Sequence, residues 1–286
     1  MGLPGLGAGG FGVTPLRLEA PAKLNLSLQV VGRRDDGLHL LDSELVLLEL
    51  ADRLLLLPGC SGLRVEGDVG DHVPLDARNL AWRGLRAGLG EEPDLVCLTL
   101  EKRIPTAAGL GGGSSDAAAA WRLGRASRGV TARADAAELV ELSTVGADVP
   151  FFAAGVAAAR VGGIGARVEA VPAPIRHVVL LHPTFGLSTA DVFAELRTDE
   201  WGSGQNDLLP AARRLRPELD ALVALMVAAG GAPRLTGSGP TIFTLAGDAE
   251  SAAAIAGALA RAGVRASVTR TRADPATIQA IDDEEV

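Results

Sequence analysis

Residues 104–121 read IPTAAGLGGGSSDAAAAW, and the reading of this stretch decides the fold. Just upstream, Val96, Leu98 and Leu100 alternate with Cys97, Thr99, Glu101 and Arg103. That period predicts a strand with one buried face. Downstream, Ser114, Ser115 and Asp116 are helix-starting residues, and residues 117–123 have high helix propensity. A strand therefore feeds a glycine loop, which feeds a helix N-terminus. Glycines let the backbone take positive φ and approach a ligand closely. Successive N–H groups and the positive end of a helix dipole then suit a phosphate. The two familiar phosphate motifs both fail: no lysine follows Gly113, and Ser114 stands where a dinucleotide fingerprint needs its third glycine. A surface loop or a tight helix contact accounts for a glycine run equally well at this point.

The chain has 286 residues, 48% of them hydrophobic and 22% charged, which predicts a globular protein of two domains. Val171-Pro172-Ala173-Pro174 marks the expected boundary, giving 14–171 and 172–286. A net charge of -8 with scattered basic residues argues against nucleic acid or an anionic membrane as partner. Cys60 and Cys97 form no CxxC pair and read as buried free thiols of a cytoplasmic protein. Four histidines without clustered spacing give no zinc site. The first twelve residues resemble neither a signal nor a transit peptide and read as a loose end, as does the closing DDEEV.

Residues 16–31 alternate as a half-buried strand, with Lys23 and Asn25 two apart and so on the same face. Lys23 is either a solvated edge lysine or an active-site residue at a strand start. Residues 42–57 read as two strands with a turn at Ala51-Asp52-Arg53, and 79–89 as a helix. Residues 63–69 read as a short strand, and 132–143 as a helix whose Asp135 and Glu138 are spaced for a capping box. Asp148 lies in an apolar segment, GADVPFF. It either pairs with a cation, for which Lys23 is a candidate, or caps the helix near Pro150. Beyond the boundary, strands at 175–181, 241–245 and 264–271 alternate with helices at 189–196, 208–229 and 249–262. That order suggests a ferredoxin-like α+β unit. A second small-residue loop, RLTGSGP at 234–240, is placed to face the first across a cleft.

PAKLNLSLQVVGRRDDGLH (21–39), KRIPTAAGLGGGSSDAA (102–118), GADVPFF (146–152) and RLTGSGP (234–240) resemble, in order, the signatures of the GHMP small-molecule kinases. The first and third narrow the resemblance to members that phosphorylate the 2-hydroxyl of 4-diphosphocytidyl-2-C-methyl-D-erythritol in non-mevalonate isoprenoid biosynthesis. The resemblance implies an S5-like N-terminal domain, a ferredoxin-like C-terminal domain, and ATP with Mg2+ as cofactors. It implies a small-molecule partner, a cytidine diphosphate sugar-alcohol, and leaves the oligomeric state and the metal ligands open. ATP would lie on Pro105, Thr106, Ala107, Ala108, Gly109, Leu110, Gly111, Gly112, Gly113, Ser114 and Ser115, with Asn79 near the adenine. Lys23 and Asp148 would be catalytic, with Asp148 as base. Asn25, His39, Thr189 and Phe193 would hold the substrate, His39 reading the cytosine. Two positions depart from the family pattern: Leu38 where an aromatic residue stacks on the base, and Asp116 where asparagine is common. Asp116 is expected to serve as a helix-start residue. The competing expectations are a GHMP kinase for another alcohol, homoserine or mevalonate, and a nucleotide-binding regulator without catalysis.

Overall fold

The computed structural model describes residues 14–67, 73–130 and 132–281; the two ends read as loose, 1–12 and 282–286, lie outside them, as does the end of the 63–69 strand. Two sheets lie on either side of Val171. In the first, β1 (Leu16–Arg33) runs antiparallel to β2 (His39–Pro58). β3 (Gly62–Glu66) pairs in parallel with β4 (Val96–Glu101), and β4 with the far half of β2. The near half of β2 pairs with β5 (Ala158–Gly163), which pairs with β6 (Arg167–Ala170). Helices α1 (Leu80–Leu89), α2 (Gly112–Ser127), α3 (Ala136–Ser143) and α4 (Val149–Ala153) belong to the same half of the molecule.

Residues 42–57 are one strand rather than two. Ala51-Asp52-Arg53 continues the ladder, opposite Pro21, Ala20 and Glu19 of β1. Asp52 looked like a turn residue because a carboxylate in a strand interior is rare; here its charge is met by a buried lysine, described below. The half-buried expectation for β1 also changes. A register shift between Pro21 and Lys23 switches which face each residue presents. Leu18 and Ala20 pack with α1 and α2, whereas Ala22 and Leu24 pack with the second sheet. Both faces of mid-β1 are thus covered, and Lys23 is 3% exposed.

The alanine run of α2 is buried on nearly every side because α1 lies against it at backbone distance. A Cβ on Gly84 would stand 2.0 Å from the Ala117 carbonyl oxygen, and one on Gly88 2.2 Å from that of Trp121. Gly84→Ala therefore overpacks this contact and is expected to destabilise the fold by about 1–3 kcal/mol. Urea unfolding checks it, as a lower midpoint at unchanged m-value.

The second sheet has strand order β10-β7-β9-β8. β7 (His177–Leu181) and β8 (Arg234–Leu235) precede β9 (Ile242–Ala246) and β10 (Ala266–Arg270), and all neighbours are antiparallel. Its helices are α5 (Thr189–Glu195), α6 (Leu209–Leu215), α7 (Glu218–Ala228) and α8 (Ala249–Arg261). First strand beside last, with the second at the far edge, is the ferredoxin-like order. The expected long helix at 208–229 is two helices, because Pro217 breaks it. β11 (Gln279–Ala280) returns to pair with β1 of the first sheet.

Cys60 and Cys97, read as free thiols, are joined in a disulfide, with Cα atoms 5.3 Å apart. Cys97 sits in β4 between Leu57 of β2 and Gly62 of β3, and Cys60 lies in the turn joining those neighbours. The tertiary pairing brings together cysteines 37 residues apart, so cysteine usage does not support the cytoplasmic expectation. Among the described residues no helix is long and apolar enough to cross a membrane.

Candidate active site

Lys23 enters from the middle of β1, with its Nζ 3.3 Å from the carboxylate of Asp148. Of the two readings of Asp148, the structure selects the ion pair. It stands at the N-cap position of α4, yet its side chain makes no capping bond. Lys23 Nζ also donates to Asn25 Oδ1 at 2.6 Å. Its aliphatic stem lies beneath the glycine loop: a Cβ on Gly111 would be 2.9 Å from Lys23 Cγ. The pair is asymmetric, a buried ammonium against a carboxylate whose side chain is 35% exposed. An approaching hydroxyl can reach the carboxylate while the cation stays fixed below it.

The loop from Pro105 to Ser115, with Asp148, Lys23 and Asn25, lines a cavity of ≈ 580 Å³. Ser115 alone of these loop residues does not line it; its side chain is buried under the helix start. Ala107, Gly109 and Gly111 have φ of 51, 76 and 71°. Gly111 is the N-cap of α2, and no side chain caps that helix. First-turn N–H groups so arranged are suited to phosphate oxygens.

The second loop does not face the first across a cleft but touches it. Thr241 N–H donates to Ala108 O at 3.3 Å, and a Cβ on Gly109 would be 2.5 Å from Thr236 O. Asn25 is the rivet: its Oδ1 accepts from Gly237 N–H at 2.9 Å, and its backbone N–H donates to Thr236 Oγ1 at 3.1 Å. Its Nδ2 donates to Ser43 Oγ at 2.8 Å. A third segment, missed in the sequence, clamps the same region. Gln205 Nε2 donates to Asn25 O and Leu26 O, and Asn206 Nδ2 to Leu235 O and Gly237 O. The buried Asp207 accepts from Val30, Gly202 and Ser203 N–H groups. Its only signal was a run of three polar residues before an apolar helix.

On the second-sheet side of the cavity, Thr189 Oγ1 is 2.8 Å from Ser238 Oγ. Phe193 lines the cavity too, and His39 stacks on it with ring centroids 5.2 Å apart. Burial, then the Arg33 charge, lowers the His39 pKa, favouring the neutral ring. Trp201 presents its edge to His39 at 6.0 Å. Leu38 is 52% exposed, and Trp201, distant from it in sequence, is the further aromatic beside His39. Asn79 lines the cavity while serving as the N-cap of α1, accepting from Ala81 N–H and donating to Pro74 O.

Asp116 does not start the helix; it lies in the second turn of α2 and is buried. Lys102, at the end of β4, donates to Asp116 Oδ2 at 2.8 Å and to Asp52 Oδ2. Asp52 also accepts from the backbone N–H groups of Arg103 and Ile104, the two residues that open the glycine loop. Burial opposes the Lys102 charge, but the Asp116 and Asp52 charges outweigh it and raise its pKa. Burial pushes Asp116 up to about 8, against the pull of Lys102 and with a further push from Asp52.

Family models match both halves of the chain: the GHMP kinases N terminal domain over residues 79–156, and the GHMP kinases C terminal over 187–265. A protein of Rhodopseudomonas palustris (strain BisA53), named 4-diphosphocytidyl-2-C-methyl-D-erythritol kinase, is 37% identical over 87% of this chain and 95% of its own length. The chain belongs to the GHMP kinase family.

A Rhizobium etli protein of the same name is 39% identical to this GHMP kinase, over 88% of the chain and 92% of the relative. The crystal structure of a 4-(cytidine 5'-diphospho)-2C-methyl-D-erythritol kinase superposes with a TM-score of 0.71 at 34% identity, covering 89% of this chain and 98% of that one. Homoserine kinase from Cytophaga hutchinsonii superposes at 0.65 with 17% identity over 97% of this chain and all of that one, a likeness of fold alone. The fold class expected from the motifs is therefore borne out, S5-like and ferredoxin-like halves included.

Proposed function

We propose that this GHMP kinase transfers the γ-phosphoryl group of ATP to the 2-hydroxyl of 4-diphosphocytidyl-2-C-methyl-D-erythritol. The observation that carries the reading is the Lys23–Asp148 pair, 3.3 Å apart beside a loop built for phosphates. Identity of 37–39% to relatives of that name supports the acceptor. Asp148 accepts the hydroxyl proton as the acceptor oxygen bonds to the γ-phosphorus. The bond from that phosphorus to the β–γ bridging oxygen breaks, and ADP leaves. Lys23 holds the carboxylate in place and offsets charge at the reacting oxygens.

ATP phosphates lie on residues 105–114 at the start of α2, with Asn79 near the adenine and the buried Ser115 supporting the helix start from below. Asn25 acts chiefly by fixing Lys23 and the second loop, while Thr189, Phe193 and His39 bound the acceptor side. Mg2+ belongs to the reading through the chemistry of ATP. Among the described residues no group of three or more His, Cys, Asp or Glu is placed to hold a metal. Bound with ATP, the cation would supply neutralisation of the phosphates' charge. We assign the protein to isoprenoid precursor synthesis.

A coupled ADP-release assay tests the acceptor. Turnover with the cytidylyl substrate, and none with homoserine or mevalonate, is expected; the reverse pattern sinks the assignment. Leu38→Tyr is expected to lower KM for that substrate about tenfold, towards the lower part of the range for base–aromatic stacking. Steady-state kinetics check it, and an unchanged KM means that Trp201 and Phe193 already form the base's aromatic wall.

A further inference from the structure

Under the start of α2, three ionisable side chains share one buried cluster: Lys102, Asp52 and Asp116, each 7% exposed or less. One cation faces two carboxyl groups. Asp52 has the fuller set of donors, Lys102 Nζ and two backbone N–H groups, so it is the natural counter-charge. Asp116 is the surplus acid. Its Oδ2 accepts from Lys102, while its Oδ1 is buried without a hydrogen-bond partner among the described residues. Lys102 and Asp116 both line the cavity, and a Cβ on Gly112 would be 3.3 Å from Lys102 Nζ. The cluster thus sits against the glycine loop.

We propose that Asp116 is a positioning residue whose proton governs ATP affinity, the protonated form admitting the nucleotide and the ionised form opposing it. The inference rests on the ATP reading given above. With the proton on, the cluster is neutral overall; with it off, a net negative charge lies in a water-poor region beneath a site for a polyanion. Coulombic repulsion there is weakly screened. The charged groups acting on Asp116 are Lys102 from β4 and Asp52 from β2. Lys23 from β1 and Arg78 from before α1 line the same cavity, Lys23 engaged with Asp148 and Arg78 with Asp76. The titration falls within reach of ordinary assays, since Asp116 is pushed up to about 8. An aspartate here makes the site proton-sensitive, which asparagine would not.

The test is calorimetric titration of the full-length protein with MgATP from pH 7 to 9.5, beside Asp116→Asn. If only the protonated form binds, linkage gives about a tenfold rise in Kd per pH unit above the titration point. The wild type is expected to show that rise and the variant a flat profile. Equal slopes, or a flat wild type, overturn the proposal. Absence of ATP binding at every pH overturns the kinase reading itself. Should the variant fail to fold, the wild type alone decides: ATP affinity falls across the window while affinity for the cytidylyl substrate holds. A parallel loss of both overturns it. The stability readout is separate. Asp116 has its proton held more tightly in the fold, so the stability it contributes is complete below the unfolded carboxylate value and is lost as pH rises through about 8. A structural role alone moves that thermal profile and leaves the ATP profile unchanged.

Discussion

Asp148→Asn is expected to lower kcat by about 10²–10⁴-fold, the range for removing a positioned general base, with KM for ATP little changed. The amide keeps the shape of the carboxylate but cannot take the hydroxyl proton. It also leaves the Lys23 ammonium, 3% exposed, without the counter-charge that Asp148 supplies at 3.3 Å. Because Asp148 makes no capping bond to α4, the helix loses nothing from the exchange. Single-turnover ADP release measures the chemical step. A variant with near wild-type kcat removes Asp148 from the base role and leaves the loop as the main source of rate. A variant that loses ATP affinity in proportion to rate instead marks Asp148 as part of the nucleotide site.

Lys102→Met is expected to destabilise the fold by about 3–5 kcal/mol, the usual penalty for stripping one partner from a buried ion pair. Methionine fills similar volume, so the loss is electrostatic: Asp52 and Asp116 remain buried with no cation between them. Asp52 ties β2 to the first residues of the glycine loop, so the damage reaches the ATP site as well as the core. Equilibrium urea unfolding measures it. The double variant Lys102→Met with Asp52→Asn is expected to recover part of the loss, because no unpaired carboxylate is left at Asp52. A single variant within 1 kcal/mol of wild type would mean, on the same principle, that protonation relieves the cluster at little cost.

The two predictions concern opposite ends of what was legible beforehand. Strand, glycine loop and helix at 96–127 could be read from local preferences, since alternation, positive-φ glycines and alanine propensity act within a few residues. The same holds for the Asp135–Glu138 capping box, found as drawn. Lys23 and Asp148 could be nominated because both are charged residues in apolar surroundings, but their pairing spans 125 positions and had an alternative. The Lys102 cluster was hidden. Asp52 carried the signature of a turn and Asp116 that of a helix start, and nothing local marks a carboxylate as paired with a lysine 50 or 14 residues away.

By itself the sequence determined the order of elements, the phosphate-suited loop, the family, and the residue types available for phosphoryl transfer. These follow from short-range periodicity and from motifs that keep their chemistry wherever the chain folds. Only the tertiary structure decided that mid-β1 is covered on both faces, that the two loops touch through Asn25, that Cys60 meets Cys97, and that Asp116 is a buried acid. Each of these is a contact between distant segments, set by which faces the sheets and helices bury together. Burial, in turn, determines whether a given carboxylate is a solvated cap or a charge that the fold must balance.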